Sequence, residues 1–128
     1  MSKKSILTRM EEPVRLVMRM MEAFNRHDVP GIMACFSDDC LFESPFPAPD
    51  GGIYQGREAV TGYWQAFFFR SPQAHFEIEE IFGLGFRAVM RWKYTWVDAE
   101  GKPGHVRGVD VFRIKNSLLC EKLSYVKG

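Results

Sequence analysis

Residues 86–126, FRAVMRWKYTWVDAEGKPGHVRGVDVFRIKNSLLCEKLSYV, decide the fold, because long stretches that alternate between apolar and polar residues are separated there by short turn segments. The turn segments carry glycine, aspartate and asparagine, which tight turns favour. Strands are predicted at residues 75–82, 86–97, 103–115 and 118–126. The second half of the chain is therefore predicted to be an antiparallel meander.

The first half of the chain predicts helices. Apolar residues recur at helical spacing from Val14 to Phe24, and Pro13 suits the first turn of that helix. Residues 1–10 are therefore expected to form a flexible, polar lead-in.

Between the first helix and the meander, a short helix capped by Asp28, a strand over residues 40–44 and a third helix from Arg57 are predicted. The segment 45–56 is rich in proline and glycine and is predicted to be an irregular loop. Helices laid on one face of a curved antiparallel sheet make the predicted fold class α+β.

Length and composition restrict the function classes. The 128 residues fit one domain over 1–128, and 46% hydrophobic with 26% charged residues are typical of a globular domain and not of a disordered chain, collagen or a coiled coil. A net charge of +1 leaves no basic excess for phosphates, so no nucleic-acid partner is predicted. No run resembles a signal peptide or a membrane span, so no membrane partner is predicted either.

The cysteines and histidines predict no metal site. Cys35, Cys40 and Cys120 are odd in number and form no C-x-x-C pair, which fits neither a disulfide framework nor a zinc site. No histidine pairs with another metal ligand at a recognised spacing, so no metal and no cofactor are predicted. A reducing, cytoplasmic location is expected.

Strand alternation sorts the meander into two faces. The face with Met90, Trp92 and Tyr94 is strongly aromatic and is predicted to lie inside. A hairpin loop over 98–102 places Trp92 opposite Gly108 and Met90 opposite Asp110. An unbroken hairpin at Asn116–Ser117 then pairs Asp110 with Leu123, which predicts these inward residues on the last strand: Leu119, Glu121, Leu123 and Tyr125.

Asp110 is the candidate functional group of the inner face. Its predicted neighbours include no cation, so a buried carboxyl group there favours its neutral form. Gly108 leaves a gap beside the Trp92 indole, and glycine inside a strand often marks the close approach of a ligand. Glu121 is predicted about 7–8 Å away at the diagonal position. A buried aspartate satisfied by backbone N–H groups or a loop hydroxyl remains the structural alternative.

The opposite face of the sheet predicts self-association. Basic residues alternate there with Val89, Val109 and Val111. A face this apolar is not expected to remain in free solvent, so a homodimer through the outer sheet face is predicted.

Four runs of sequence, in this order along the chain, resemble the SnoaL-like branch of the nuclear transport factor 2 superfamily, which also has the fold of ketosteroid isomerase. They are FNRHDVPGI at 24–32, FSDDCLFESP at 36–45, GREAV at 56–60 and RGVDVFR at 107–113. The resemblance implies a cone-shaped α+β barrel in which three N-terminal helices pack on a curved, mainly antiparallel sheet and enclose a pocket. It also implies a homodimer.

The resemblance carries over residue by residue. Asp110 matches the strand aspartate that donates a hydrogen bond in the isomerases and resembles the acid/base aspartate of the cyclases. Ser44 stands where the isomerase has its general base, and Met20 stands where it has a tyrosine donor, so steroid isomerase chemistry is not expected. The lining of the family's pocket is matched by Tyr63, Trp64, Met90, Trp92 and Tyr94.

The predicted function is a small-molecule enzyme that performs acid/base chemistry on a hydrophobic carbonyl or cyclic compound: isomerisation, cyclisation, hydration or dehydration. Asp110 is the predicted catalytic residue. The predicted substrate-binding residues are Met20, Phe24, Phe42, Ser44, Tyr54, Tyr63, Trp64, Met90, Trp92, Tyr94, Gly108, Phe112, Glu121, Leu123 and Tyr125. Ser44 as a plain strand end and Tyr54 as a loop anchor remain open, and the alternative function is a non-catalytic domain for hydrophobic-ligand binding or dimerisation.

Overall fold

A computed structural model describes residues 3–128, with side chains from Glu12 onward. This part of the chain forms three helices and six strands. They are α1 (Lys3–Asn25), α2 (Val29–Met33), β1 (Phe36–Glu43), β2 (Ile53–Gln55), α3 (Arg57–Arg70), β3 (His75–Leu84), β4 (Arg87–Val97), β5 (Pro103–Lys115) and β6 (Leu118–Val126). The described helices include none that is long and apolar enough to cross a membrane.

The strands form one mixed sheet with the order β2-β1-β6-β5-β4-β3. All neighbours are antiparallel except β1 and β6, which run parallel. The helices cover the inner face, so the predicted α+β fold with a mainly antiparallel, curved sheet is confirmed.

Helix α1 begins earlier than predicted. It starts at Lys3, so residues 3–10 of the predicted lead-in are helical, while residues 1 and 2 lie outside the described part. Pro13 stands inside the helix and is buried, so its ring serves as a packing group and does not open the first turn.

The first strand and the loop after it also differ from the prediction. Strand β1 already begins at Phe36, because the short helix α2 ends at Met33. The proline- and glycine-rich segment contains the three-residue strand β2, which pairs with β1. Asp28 caps α2 as predicted, with its carboxylate accepting the Gly31 N–H at 3.0 Å.

The register of β4 and β5 is the predicted one, with Trp92 opposite Gly108 and Met90 opposite Asp110. The predicted register of β6 is wrong from the third residue of the strand onward. The turn pairs Ile114 with Leu119, but the ladder then shifts and pairs Arg113 with Glu121. A bulge at this point leaves one residue of β6 unpaired.

A one-residue shift turns every later side chain to the opposite face. The predicted inward residues Glu121, Leu123 and Tyr125 therefore lie on the outer face. Lys122 and Ser124 take the inner positions and are buried, with Ser124 opposite Asp110.

Candidate active site

A cavity of about 60 Å³ lies between the inner face of the sheet, helix α3 and the loop after β1. Predicted site residues in its wall are Phe42, Tyr63, Trp64, Trp92, Tyr94 and Asp110. Residues that the sequence did not predict are Pro45, Phe46, Phe67, Phe76, Val106, Lys122 and Ser124. The wall is therefore mainly aromatic, with a few polar groups gathered at one end.

An ion pair forms this polar end. Lys122 Nζ lies 2.9 Å from Asp110 Oδ2, and both side chains are less than a tenth exposed. The indole N–H of Trp92 donates to Asp110 Oδ1 at 2.9 Å, and the Lys122 ammonium donates to Ser124 Oγ at 3.0 Å. Every one of these groups has a hydrogen-bond partner, which a buried charge requires.

The expectation that Asp110 lacks a cationic neighbour is wrong. It assumed an unbroken β6, and the bulge brings Lys122 to the inner face instead of Glu121. Two donors, from Trp92 and Lys122, now point at the carboxylate oxygens. Asp110 therefore accepts hydrogen bonds here, whereas the aspartate of the isomerases donates one.

Aromatic rings surround the Lys122 ammonium. Its Nζ lies 4.6 Å from the centre of the Phe42 ring, 5.2 Å from Trp64 and 5.9 Å from Phe24. Such cation–π contacts contribute about 0.5–2 kcal/mol each, more when water is excluded. They offset part of the desolvation cost of burying this charge.

Gly108 does not leave the gap that was predicted beside Trp92. Instead, its missing side chain makes room for the indole that binds Asp110. A Cβ atom at Gly108 would lie 2.4 Å from Trp92 Cζ2 and 2.4 Å from the Tyr125 carbonyl oxygen. The space is thus already filled by the Trp92 indole, whose N–H reaches Asp110. Gly108 itself lines a depression on the outer face, together with Tyr125.

Tyr63 adds a neutral hydroxyl group to the cavity. Burial, with a smaller contribution from neighbouring Tyr54, raises the pKa of Tyr63 to about 12. The phenol therefore stays protonated near neutral pH and can donate a hydrogen bond, but it cannot act as a base.

Besides Gly108, the predicted residues outside the cavity wall fall into three groups. Tyr54 packs against Phe42 and Tyr63, with ring centres 6.0 and 4.8 Å apart, and Ser44 anchors the loop by donating to the Phe46 carbonyl at 2.8 Å and accepting the Gly52 N–H at 3.0 Å. Buried core residues behind the wall are Met20, Phe24, Met90 and Phe112.

The remaining three lie on the outer face because of the β6 bulge. Glu121 pairs with Arg87 and Arg113 at 3.4 and 3.7 Å, and Tyr125 is 49% exposed. Leu123 stands opposite Val111.

Among the side chains that the structure describes, from Glu12 onward, no three metal-binding groups of His, Cys, Asp or Glu come together. The chemistry that the cavity offers is that of its own groups: a carboxylate that can exchange a proton, an ammonium and a phenol that can donate hydrogen bonds, and rings that exclude water.

Solved structures of other proteins share this architecture. An NTF2-like protein of unknown function from Mesorhizobium loti has 34% sequence identity, 94% coverage of both chains and a TM-score of 0.80. An uncharacterised cystatin-fold protein from Novosphingobium aromaticivorans has 22% identity, a TM-score of 0.75 and coverage of 88% of this chain and 96% of that one. TerC, crystallised with polyporic acid, has 12% identity, a TM-score of 0.79 and coverage of 91% and 92%.

A search of curated proteins finds no match. The profile of the SnoaL-like domain matches residues 17–122, which is most of the chain and includes the ion pair and every cavity-wall residue except Ser124. The chain therefore belongs to the SnoaL-like family of the nuclear transport factor 2 superfamily.

Proposed function

We propose that this protein is a small-molecule enzyme that moves a proton next to the carbonyl group of a hydrophobic compound, with Asp110 as the acid/base residue. One observation carries this proposal: a buried carboxylate–ammonium pair lies in the wall of an aromatic cavity. Ionisable groups in such surroundings are commonly functional, because a purely structural core is more cheaply built from apolar residues.

The proposed step uses the pair asymmetrically. An oxygen of Asp110 takes a proton from the carbon beside the carbonyl, the C–H electron pair becomes the new C=C bond, and the carbonyl π pair moves onto oxygen. Lys122 donates a hydrogen bond to that enolate oxygen. Asp110 then returns the proton to the same or a conjugated carbon, so the carboxylate is restored and no oxidant is needed. Isomerisation, cyclisation and dehydration all share this step.

The carboxylate has capacity for this role. An ionised carboxyl group offers about four acceptor positions, and Trp92 and Lys122 occupy two of them. The cavity of about 60 Å³ is below the roughly 300–1,000 Å³ of drug-sized ligand sites. We therefore expect only the compact carbonyl end of a substrate to enter this space, with the rest held at the mouth beside the half-exposed Phe46.

The experiment is deuterium exchange in D₂O, followed by NMR, with cyclopentanone and cyclohexanone as probes. The wild-type protein is expected to accelerate loss of the signal from the protons beside the carbonyl. Asp110→Asn is expected to lower that acceleration by about 10²–10⁴-fold, the usual contribution of one acid/base group. Glu80→Gln, which breaks the exposed pair with Arg91, is the matched control and is expected to keep the wild-type rate.

The second candidate is a non-catalytic ligand-binding domain. It is favoured by the fact that both oxygens of Asp110 already accept hydrogen bonds inside the protein. In that case the wild-type protein binds the ketones, yet exchange proceeds at the rate of buffer alone.

We also propose that a second copy covers the outer sheet face. Phe82, Val89, Val111 and Leu123 stand side by side across four neighbouring strands. The next row toward the β3–β4 turn carries Arg87, Arg113 and Glu121, a mixture of charges suited to pairing with itself across a two-fold axis.

Light scattering should give twice the chain mass for the wild-type protein. Val111→Asp should give the monomer mass, whereas Gln65→Asp on helix α3 should leave the dimer intact.

A further inference from the structure

We propose that Trp64 is a ligand-binding residue whose indole N–H, together with the Lys122 ammonium, receives the oxygen of a neutral carbonyl group. This inference rests on the cavity being the site of the proposed function. It deepens that function by assigning a second donor and by naming the charge of the group that binds.

The Trp64 indole nitrogen has no acceptor. Trp64 is 3% exposed, and its Nε1 is the one buried side-chain nitrogen or oxygen without a hydrogen-bond partner among the side chains the structure describes. By contrast, Trp92, Asp110 and Lys122 are all paired. Leaving a buried N–H unpaired costs about 1–3 kcal/mol, so folded proteins rarely do so without a partner supplied from outside.

The surroundings hold the Trp64 ring in place. The Phe24 ring centre lies 4.3 Å away, nearly perpendicular, and the centres of Tyr63 and Phe42 lie 4.7 and 4.9 Å away. Such close packing does not let the indole turn toward another acceptor. The missing partner therefore has to come to Trp64, and the space beside this residue is the cavity that it lines.

Lys122 borders the same space. Its Nζ lies 5.2 Å from the centre of a Trp64 ring, and both residues line the cavity. An ammonium group has three N–H donors, and the described partners, Asp110 and Ser124, take two of them. One donor on each residue is therefore left for a ligand oxygen.

The charges select a neutral ligand. Asp110 and Lys122 sum to zero, Tyr63 stays uncharged, and the remaining wall is aromatic or aliphatic apart from Ser124. A carboxylate ligand would add a negative charge close to Asp110 in a dry space, where such repulsion is strong. A ketone, enone or quinone oxygen accepts the two N–H groups without adding charge.

NMR of the indole N–H groups tests this directly, because the chain has three tryptophans and therefore three such signals. The probes are cyclopentanone, methylidenecyclopentane, which has the same shape without an acceptor, and cyclopentanecarboxylate. Trp64→Phe assigns the signal, and Trp96→Phe, which changes a residue that does not line the cavity, is the control variant.

Cyclopentanone is expected to move the Trp64 signal downfield, as a new hydrogen bond does, while methylidenecyclopentane does not. Trp64→Phe is expected to weaken cyclopentanone binding about 2- to 10-fold, the value of one net hydrogen bond, and to leave methylidenecyclopentane binding unchanged. Trp96→Phe should preserve this difference, and the carboxylate should bind more weakly than the ketone.

Four results would each overturn the inference: equal weakening of both neutral probes by Trp64→Phe, tighter binding of the carboxylate, no response of the Trp64 signal to the ketone, or a resident water that keeps its contact with the Trp64 N–H when the ketone is bound. Failure of the proposed function looks different. If Asp110 is not catalytic, deuterium exchange is absent while the Trp64 signal still moves; if only this inference fails, exchange persists and the signal does not move.

Discussion

The two faces of the sheet carry the same ion-pair geometry in opposite surroundings. On the inner face, Asp110 and Lys122 lie 2.9 Å apart with 4% and 6% of their side chains exposed. On the outer face, Glu80 and Arg91 lie 2.8 Å apart and are 53% and 49% exposed. The N–O distance alone therefore does not indicate how much a charge pair contributes to stability. The exposure of the pair to water determines that contribution.

Water screens the attraction between the two charges of the outer pair and solvates each of them nearly as well as its partner does. Exposed pairs of this kind therefore contribute only about 0–1 kcal/mol to the free energy of unfolding. The inner pair has lost that solvation and depends on each partner, on Trp92 and Ser124, and on the surrounding rings. Burying its two charges costs desolvation free energy, and removing one partner alone costs more because the other charge is left unpaired.

The largest expected effect comes from breaking the inner pair. Lys122→Met leaves the Asp110 carboxylate buried without its cation, so we expect a loss of about 3–5 kcal/mol in the free energy of unfolding. Urea unfolding measures it, and Glu80→Gln should lose at most about 1 kcal/mol under the same conditions. Equal losses in the two variants would contradict the contrast between the faces.

The next effect concerns the glycine that lets Trp92 reach Asp110. In Gly108→Ala the new methyl group collides with the Trp92 indole and with backbone, so a loss of about 1–3 kcal/mol is expected. Gly104→Ala is the matched control, because the three heavy atoms nearest to its new methyl group all belong to the ring of Trp96, a partly exposed side chain that can shift. Thermal unfolding of both variants checks the order.

A smaller effect appears at alkaline pH on the inner side. Because burial raises the pKa of Tyr63 to about 12, from an ordinary value near 10, the folded protein holds this proton longer than the unfolded chain. Stability should therefore fall as pH rises from about 10 to about 12. Tyr63→Phe should remove that part of the loss in pH-dependent unfolding, while Tyr125→Phe on the outer face should not.

The smallest effect belongs to the outer face at acid pH. The hydrogen bond from Arg107 holds the pKa of Glu79 below its ordinary value. The pair's contribution is thus present above about pH 4.3 and is lost as pH falls through the lowered value. Glu79→Gln should flatten the acid limb of the stability profile only slightly, and 1 M salt should erase the difference. A large change would mean that this pair is not screened as its exposure implies.

The sequence predicted one half of the site well and the other half poorly. Alternation alone placed Trp92 and Asp110 on the inner face, because the hairpin between β4 and β5 is regular over its whole length. The bulge in β6 interrupts alternation without a glycine or proline to mark it, so Glu121 was predicted inside where Lys122 belongs.

The pattern of β6 could not reveal this error. Each parity of its last residues contains one charged residue: Glu121 with Leu123 and Tyr125, or Lys122 with Ser124 and Val126. The more apolar set looked like the inner one, and packing chose the other, because Lys122 finds both a carboxylate and an aromatic cage there. Tertiary contacts, and not the pattern of the strand, therefore place Lys122 next to Asp110.

The double variant Asp110→Leu/Lys122→Met tests most directly whether the inner pair exists for function. Replacing both charges by apolar side chains of similar size removes the unpaired-charge penalty and leaves only the Trp92 N–H without its acceptor, so the double variant should be more stable than Lys122→Met alone. Deuterium exchange of cyclopentanone should nevertheless fall to the rate of buffer alone. A stable double variant that exchanges the ketone at the wild-type rate would contradict a catalytic role for the pair.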